Sequence, residues 1–163
     1  MAHGEDDRIE TVTLDEASVI ARNEEIEKER EVALRDLVEE NNFRPLRASE
    51  DGHQGPWKIN LAIVDGMLAL HLKDRTGEDA GTIGLGLARF RRVVRDYFAI
   101  CDSYYKALRR ASAQEIETID MARRAIHDRG TRQLVESLAN KVDVDFETAR
   151  RLFTLICVLH LKA

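Results

Sequence analysis

The feature that most constrains this fold is the Asp65-Gly66 pair between two runs of alternating apolar and polar residues. An Asp-Gly pair in this position is the strongest short-range signal for a two-residue β-hairpin turn. Such a turn pairs residues whose numbers sum to 131, so it places Leu61 opposite Leu70. The same rule brings all apolar partners onto one face, in the pairs Ile63–Leu68, Leu61–Leu70 and Ile59–Leu72. Because a slip of one residue would destroy this sorting, the sequence predicts a hairpin with one buried face.

Further strands are predicted beside the hairpin. Residues 9–14 contain β-branched residues with partial alternation, which is typical of a short strand. Residues 83–87 alternate leucine or isoleucine with glycine and predict another strand. Residues 43–47 contain a proline, so they predict an edge strand or a loop.

The other segments have the periodicity of helices. Asn23 is a predicted N-cap for a helix over residues 24–40, and apolar residues spaced by three and four predict a helix over residues 89–110. A capping box at Ser112 begins the next helix, which we expect to end near Arg129 because Gly130 is a natural helix stop. A short helix should then run to about residue 140.

The last helix has an unusual composition. We expect Asp143 or Asp145 to cap it, and from residue 152 to residue 161 its only polar residues are Thr154 and His160. A helix that is apolar on all sides must be buried on several sides. The sheet and one helix can bury about half of its circumference. The remainder must be covered either by the helix over residues 89–110 or by a second subunit, and we favour the first.

The order of elements, β-α-β-β-β followed by helices, predicts an α+β fold. We expect a small antiparallel sheet of three to four strands with the Asp-Gly hairpin at its centre. About four C-terminal helices and one N-terminal helix should pack on it. Residues 1–7 are predicted to be a disordered acidic tail and residues 8–163 a single domain, which at this length needs no metal or disulfide to hold its core.

Several features predict a cytoplasmic protein without a membrane segment. No apolar run approaches the ~20 residues that a membrane span requires. The acidic start lacks the apolar region of a signal peptide. Cys101 and Cys157 both lie in apolar helical patterns, where we expect buried free thiols.

Charge is distributed unevenly along the chain. The net charge is -5, with 15 Asp and Glu against 7 Lys and Arg in residues 1–50, and 10 against 15 in residues 89–163. We expect the acidic N-terminal helix to pack against the basic C-terminal helices. Nucleic-acid binding is not expected, because it normally requires a clearly basic domain and the sequence pI is about 5.6.

One helix face carries residues that suit an anionic ligand. At 100° per residue, four side chains of the helix that follows Ser112 fall on one side: Asp120, Arg123, Arg124 and His127. Arg91, Arg92 and Arg95 on the preceding helix are further candidates, because guanidinium forks suit phosphate and carboxylate groups. The alternative is a solvated face held by pairs such as Asp120–Arg124, Arg92–Asp96 and Arg151–Glu147. The sequence predicts no catalytic residue, no cofactor and no metal site, since five scattered histidines lack ligand spacing.

Two functional hypotheses remain open at this stage. The first is a non-enzymatic protein that acts through a protein partner or as a homo-oligomer, because no catalytic motif is recognisable and the last helix is strongly apolar. The second is a small protein or enzyme that binds an anionic or phosphorylated ligand on the arginine and histidine face.

Several segments together resemble a bacterial family of uncharacterised proteins, mostly alphaproteobacterial. The similarity lies in residues 12–17, 55–57, 90–98, 101–105, 119–124 and 144–157. It covers nearly the whole chain after the acidic tail. The resemblance implies a bacterial cytoplasmic protein and carries over no activity, ligand or catalytic residue.

Overall fold

The computed structural model describes residues 4–15 and 24–160. In chain order the elements are β1 (Ile9–Leu14), α1 (Glu24–Glu39), β2 (Phe43–Pro45), α2 (Leu46–Glu50), β3 (Trp57–Val64), β4 (Met67–Lys73), β5 (Asp79–Gly86), α3 (Arg91–Arg110), α4 (Ala113–Leu138), β6 (Val142–Val144) and α5 (Phe146–His160). A short 3-10 helix, Leu87–Arg89, joins β5 to α3. The predicted α+β class with a helical C-terminal half is confirmed.

The main sheet has the strand order β1-β3-β4-β5. The hairpin register is confirmed, since Leu61 pairs with Leu70 across the antiparallel β3 and β4. β5 is antiparallel to β4 and begins at Asp79, earlier than predicted. β1 pairs with β3 in the parallel direction, so the sheet is mixed rather than purely antiparallel. Parallel neighbours need a long crossover connection, and α1 lies between these two strands in the chain.

The strand predicted around Pro45 exists but does not belong to the main sheet. β2 and β6 form a separate antiparallel pair in which Phe43 faces Val144. Proline has no N–H to donate to a neighbouring strand, so it is found on edge strands. Both strands of a two-stranded sheet are edge strands and can therefore contain a proline.

The core is centred on α5. Its residues Leu152, Phe153, Leu155, Ile156 and Leu159 are at most 2% exposed within one chain. α5 packs mainly against α1 and α4, with further contacts to β3, while α3 contacts it less extensively. The expectation that α3 covers the face of α5 left open by the sheet and one helix is therefore corrected, since two helices, α1 and α4, provide most of the cover and α3 only a small part. Burial of these side chains requires no second subunit.

The helix starts follow their predicted caps. The Ser112 hydroxyl accepts a hydrogen bond from the Glu115 N–H (3.2 Å), and the Asp145 carboxylate accepts one from the Thr148 N–H (3.2 Å). Asn23, the predicted cap of α1, lies outside the described residues, as does Leu161.

The predicted helix stop at Gly130 is wrong. α4 continues through Gly130 to Leu138, so no separate short helix follows. A Cβ at residue 130 would overlap the ring of Phe153 on α5. This glycine therefore allows α4 and α5 to approach closely and does not end the helix.

The N-terminal residues form a turn before β1. The Gly4 N–H donates to the Asp7 carboxylate (3.0 Å), and the Phe43 N–H donates to the Asp7 carbonyl (2.9 Å). Residues 1–3 of the expected tail lie outside the described residues. The division into a tail and one following domain stays a prediction.

The charge distribution and the cysteines agree with expectation. Arg109 and Arg123 of the basic helices lie 3.9 and 3.7 Å from Glu25 and Glu29 of α1. Both cysteines are free and buried. Among the described helices, none combines the length and hydropathy needed to cross a membrane.

Candidate functional site

A cleft with a volume of about 610 Å³ lies between α1, α4 and α5, with Tyr97 and Tyr105 of α3 in its lining. We call it the helix cleft. Its charged lining consists of five basic residues (Lys28, Arg123, Arg124, Arg150 and Arg151) and four acidic residues (Glu29, Asp36, Asp128 and Glu147). Small-molecule sites commonly have volumes of about 300–1,000 Å³. The cleft is therefore large enough for a small organic ligand.

A half-buried carboxylate lies in this cleft. Glu29 of α1 accepts hydrogen bonds from the Tyr105 hydroxyl (3.1 Å) and the Tyr97 hydroxyl (3.3 Å). Its nearest guanidinium nitrogen, on Arg123, is 3.7 Å away. Burial raises the pKa of Glu29, and the Tyr105 hydrogen bond and the Arg123 charge partly oppose that rise. Burial also raises the pKa of both tyrosines, so their hydroxyls stay protonated and act as donors.

Arg123 is held in place by three groups. Its guanidinium donates to the Asp120 carboxylate through Nη2 (2.6 Å) and Nε (3.1 Å). It also stacks over the Tyr104 ring, 4.4 Å from the centroid, beside Glu29. These contacts leave Arg123 less free than the other arginines to bind a ligand.

His127 is a buried, neutral residue in the wall of the cleft. Its Nε2 lies 2.8 Å from the Thr154 hydroxyl, and its ring packs edge-on against Tyr97 and Phe153, each with a centroid distance of 5.1 Å. Burial and the charges of Arg150 and Arg123 lower its pKa to about 4. It therefore brings no positive charge to an anion at neutral pH.

Three further arginines, Arg124, Arg150 and Arg151, line the cleft. Arg124 is paired with Asp120 (2.9 Å), and Arg150 with Glu147 (3.1 Å). Arg151 donates through Nη1 to the Glu40 carbonyl (2.8 Å). Its Nε is buried and has no hydrogen-bond partner among the described residues. A buried donor without a partner is costly, and a ligand acceptor would remove that cost.

The predicted residues separate into two groups. Three of them, Arg123, Arg124 and His127, line the helix cleft, and Asp120 pairs with two of these. The other three, Arg91, Arg92 and Arg95, are exposed on α3 and do not line the cleft.

The predicted ion pairs also had mixed outcomes. Asp120–Arg124 is confirmed at 2.9 Å. Asp96 pairs across helices with Arg129 at 2.8 Å instead of with Arg92. Glu147 pairs with Arg150 at 3.1 Å instead of with Arg151.

The sequence interpretation missed Glu29, and it noted Arg150-Arg151 only as one of several arginine pairs without selecting them as site residues. They lie on α1 and α5, far from α4 in the chain. The available signal was the Arg150-Arg151 pair near the start of an otherwise apolar helix. Two charged side chains in that position need either solvent or polar partners from other elements.

A second cluster of ionisable side chains lies outside the helix cleft, on two loops beside the main sheet. We call His53, Asp74 and Glu78 the His53 cluster. His53 Nδ1 is 2.6 Å from the buried Asp74 carboxylate. One ligand atom from each of the three residues lies within 4.8 Å of the others. Histidine and carboxylate ligands in this arrangement could hold a divalent metal ion.

Comparisons of this sequence with family models and with curated proteins identify the same family. Residues 6–162 match the model of the uncharacterised protein family UPF0262. A UPF0262 protein of Novosphingobium aromaticivorans is 57% identical over 161 residues, covering 96% of this chain and 98% of the relative. One from Erythrobacter litoralis is 56% identical over 155 residues, covering 95% and 97%. One from Bradyrhizobium is 54% identical over 155 residues, covering 95% and 90%. No solved structure matches this chain significantly.

Proposed function

This chain belongs to the uncharacterised protein family UPF0262, and we propose from its own geometry that it binds a small anionic molecule in the helix cleft. The ligand class is a carboxylate or phosphate head with an apolar or ring-shaped body. The observation that carries this proposal is the convergence of arginines from α4 and α5 on one cavity, including a buried Arg151 Nε that has no hydrogen-bond partner in the described part of the chain.

Fork geometry, more than net charge, supports an anionic ligand. The cleft contains nearly as many acidic as basic side chains, so its overall field is weak. Arginine recognises carboxylates and phosphates by paired, directional hydrogen bonds, which do not depend on a large net charge. Arg150 lines the cleft and donates to Glu147 through Nε (3.1 Å), so this bond does not use its two terminal nitrogens.

Apolar side chains in the cleft support an apolar ligand body. Val32 and Phe146 line the cleft and are 45% and 41% exposed, which is high for large apolar residues. Ala33 and Tyr97 extend the same wall. A ligand with a ring or alkyl part would remove this surface from water, at about 25 cal/mol per Å².

We propose binding rather than catalysis as the role of the cleft. His127 Nε2 is occupied by Thr154, and the nearby Cys101 thiol is buried. Burial and the Glu29 charge raise the pKa of Cys101 to about 12, which leaves it a thiol and not the reactive thiolate.

A thermal-shift screen tests the proposal. The panel contains nucleotides, sugar phosphates and aromatic carboxylates, each added to the full-length protein. A ligand present at about 100 times its dissociation constant stabilises the folded state by about 2.7 kcal/mol. The screen contradicts the proposal when no anion of any class raises the melting temperature.

Three variants locate the binding. Arg150→Gln removes one fork and Arg151→Lys keeps the charge but removes Nε, so both should weaken the ligand-dependent shift. Arg95→Gln is the matched control, because Arg95 is an exposed arginine outside the cleft. An unchanged shift in both cleft variants would place the anion elsewhere.

Association with a protein partner or a second copy is a second candidate function. Its support is the exposed apolar pair at the hairpin end, where Val64 (52% exposed) lies opposite Met67 (42% exposed). Sedimentation velocity at micromolar concentration measures self-association. A wild-type protein that sediments as a monomer would remove the homo-oligomer form of this candidate. An oligomer that persists in the Val64→Glu/Met67→Glu variant would show that the interface lies elsewhere.

We also propose a cytoplasmic location. Its support is the pair of buried free thiols, Cys101 and Cys157, which suit a reducing compartment. Fractionation of cells expressing the protein checks this.

A further inference from the structure

We propose that the His53 cluster is a binding site for one divalent transition-metal ion of the zinc class. The cluster joins two segments that are distant in the chain: the loop before β3 supplies His53, and the loop between β4 and β5 supplies Asp74 and Glu78. One imidazole nitrogen with two carboxylates suits ions such as Zn²⁺, Co²⁺ and Mn²⁺.

The separation of the ligand atoms fits coordination to one ion. Zinc binds nitrogen and oxygen ligands at about 2.0–2.2 Å, so two of its tetrahedral ligands lie roughly 3.3–3.6 Å apart. His53 Nδ1 and Asp74 Oδ2 are 2.6 Å apart, so the ion would replace their direct hydrogen bond and widen this contact by roughly 1 Å. All three ligand atoms already lie within 4.8 Å of one another.

The loops that carry the ligands are held by backbone hydrogen bonds. The Asp74 N–H donates to the Glu78 carbonyl (2.9 Å), which closes the β4–β5 loop. The Arg75 N–H donates to the Gln54 carbonyl (2.9 Å), which ties this loop to the one that carries His53. The backbones of the two loops are therefore held beside each other without an ion.

Hydrogen bonds around Asp74 also orient its carboxylate. Oδ1 accepts from the Thr76 hydroxyl (2.6 Å) and from the Thr76 and Glu78 N–H groups (2.8 and 3.1 Å). Oδ2 is thus left to face His53. Orientation of a ligand by outer hydrogen bonds is characteristic of metal sites.

The surroundings leave room and negative charge for a cation. A cavity of about 310 Å³ adjoins the cluster and is also lined by Asp51, Gln54 and Arg75. Water in this cavity can complete the coordination, as in sites where the protein supplies three ligands. Arg75 is engaged by the Gln54 side chain (3.3 Å), and Asp51 adds a third carboxylate.

Glu78 distinguishes a metal site from a simple ion pair. The His53–Asp74 contact alone would fasten the two loops together. Glu78 is exposed, and among the described residues its carboxylate accepts no hydrogen bond, so the loop structure does not need it. A role as a ligand accounts for its place beside the pair.

The test is a metal titration of the full-length protein after treatment with a chelator. Co²⁺ is added first, and its binding is monitored by visible absorption and by calorimetry. Zn²⁺ is then added to displace it. We expect saturable binding of one Co²⁺ per cluster and complete displacement by Zn²⁺. Glu78→Gln should lower the affinity at least about tenfold and leave the melting temperature of the metal-free protein unchanged.

Two further variants complete the experiment. His53→Gln removes the nitrogen ligand and should reduce affinity further. His71→Gln is the control, because His71 also lies near a carboxylate, with Nε2 3.9 Å from Asp79, but belongs to no such cluster. The proposal is overturned by the absence of saturable binding, or by Glu78→Gln and His53→Gln binding Co²⁺ as tightly as His71→Gln.

Discussion

His127 shows how the protein interior sets the chemistry of a single side chain. The residue is 8% exposed, and its pKa is lowered to about 4, chiefly by burial. The Thr154 hydroxyl lies 2.8 Å from its Nε2 and satisfies the neutral ring. At the scale of one residue, a histidine that looks like a cation in the sequence is a neutral core residue in the fold.

We expect His127 to make the folded state less stable as the pH falls from about 6.5 to about 4. In the unfolded chain a histidine titrates near pH ~6.5, so over this range the unfolded state binds a proton that the folded state excludes. The loss attributable to His127 is on the order of 3 kcal/mol at pH ~4. Urea unfolding of the wild type and of His127→Gln at a series of pH values measures it.

The difference between the two proteins gives the contribution of His127 alone, because all carboxylates that also titrate in this pH range are present in both. Wild type should lose more stability on acidification than His127→Gln. Equal losses in the two proteins would contradict a depressed pKa at this site.

Gly130 is a second residue whose role depends on its neighbour. Replacing it with alanine improves the local helix propensity by about 1 kcal/mol. The new methyl group would overlap the Phe153 ring, and overpacking of this kind costs about 1–3 kcal/mol or more. We therefore expect Gly130→Ala to lower the free energy of unfolding, as measured by chemical denaturation.

A double variant checks the cause. In a Phe153→Leu background the ring is absent, so Gly130→Ala should cost less than it does in the wild type. An equal cost in both backgrounds would show that the ring contact is not responsible.

At the scale of elements, the β3–β4 hairpin gives a direct test of its buried face. Leu61 is 1% exposed and lies opposite Leu70, which is 2% exposed. Leu61→Asp should cost several kcal/mol, because it buries a charge without a partner and removes an apolar pair. Total stability is typically about 5–15 kcal/mol, so we expect a large fall in melting temperature or an insoluble product.

The neighbouring position provides the control for this hairpin variant. Asn60 lies on the other face of β3 and accepts a hydrogen bond from the Thr13 hydroxyl (2.8 Å). Asn60→Asp keeps that acceptor and should melt close to the wild type. A Leu61→Asp protein with an unchanged melting temperature would contradict the burial of this face.

α5 is the element on which the core depends most. Truncation after Arg151 removes seven side chains that are at most 2% exposed, among them the five large residues Leu152, Phe153, Leu155, Ile156 and Leu159. Each such side chain contributes about 1.5–3 kcal/mol, and together they approach or exceed the stability of a typical domain. We expect the truncated chain not to fold, which circular dichroism and thermal melting would detect. Cooperative melting of the truncated chain would show that α5 is peripheral.

At the scale of the whole molecule, the predictable parts of the fold are those encoded locally. The hairpin register follows from two adjacent runs and the turn between them, and the Ser112 cap follows from four consecutive residues. The parallel pairing of β1 was not predictable in this way, because strand alternation does not specify a distant partner. The continuation of α4 through Gly130 depends on Phe153, which lies on another helix.

The candidate site follows the same rule. Periodicity correctly grouped Arg123, Arg124 and His127, because they share one helix. It gave no information on Glu29 or Arg150, which reach the cleft from α1 and α5. Arg91, Arg92 and Arg95 have the right chemistry but lie on an exposed part of α3, which only tertiary packing reveals.

The central position of α5 has a consequence for the synthesis of the protein. α5 follows every other element in the chain, yet α1, α4 and β3 pack against it. A ribosome adds about 5–20 residues per second, so the sheet leaves the exit tunnel seconds before the helix that covers it. During that interval the apolar face of β3 and β4 has no cover from α5 and can associate with other nascent chains. The topology therefore favours completion of the core only after α5 has been synthesised.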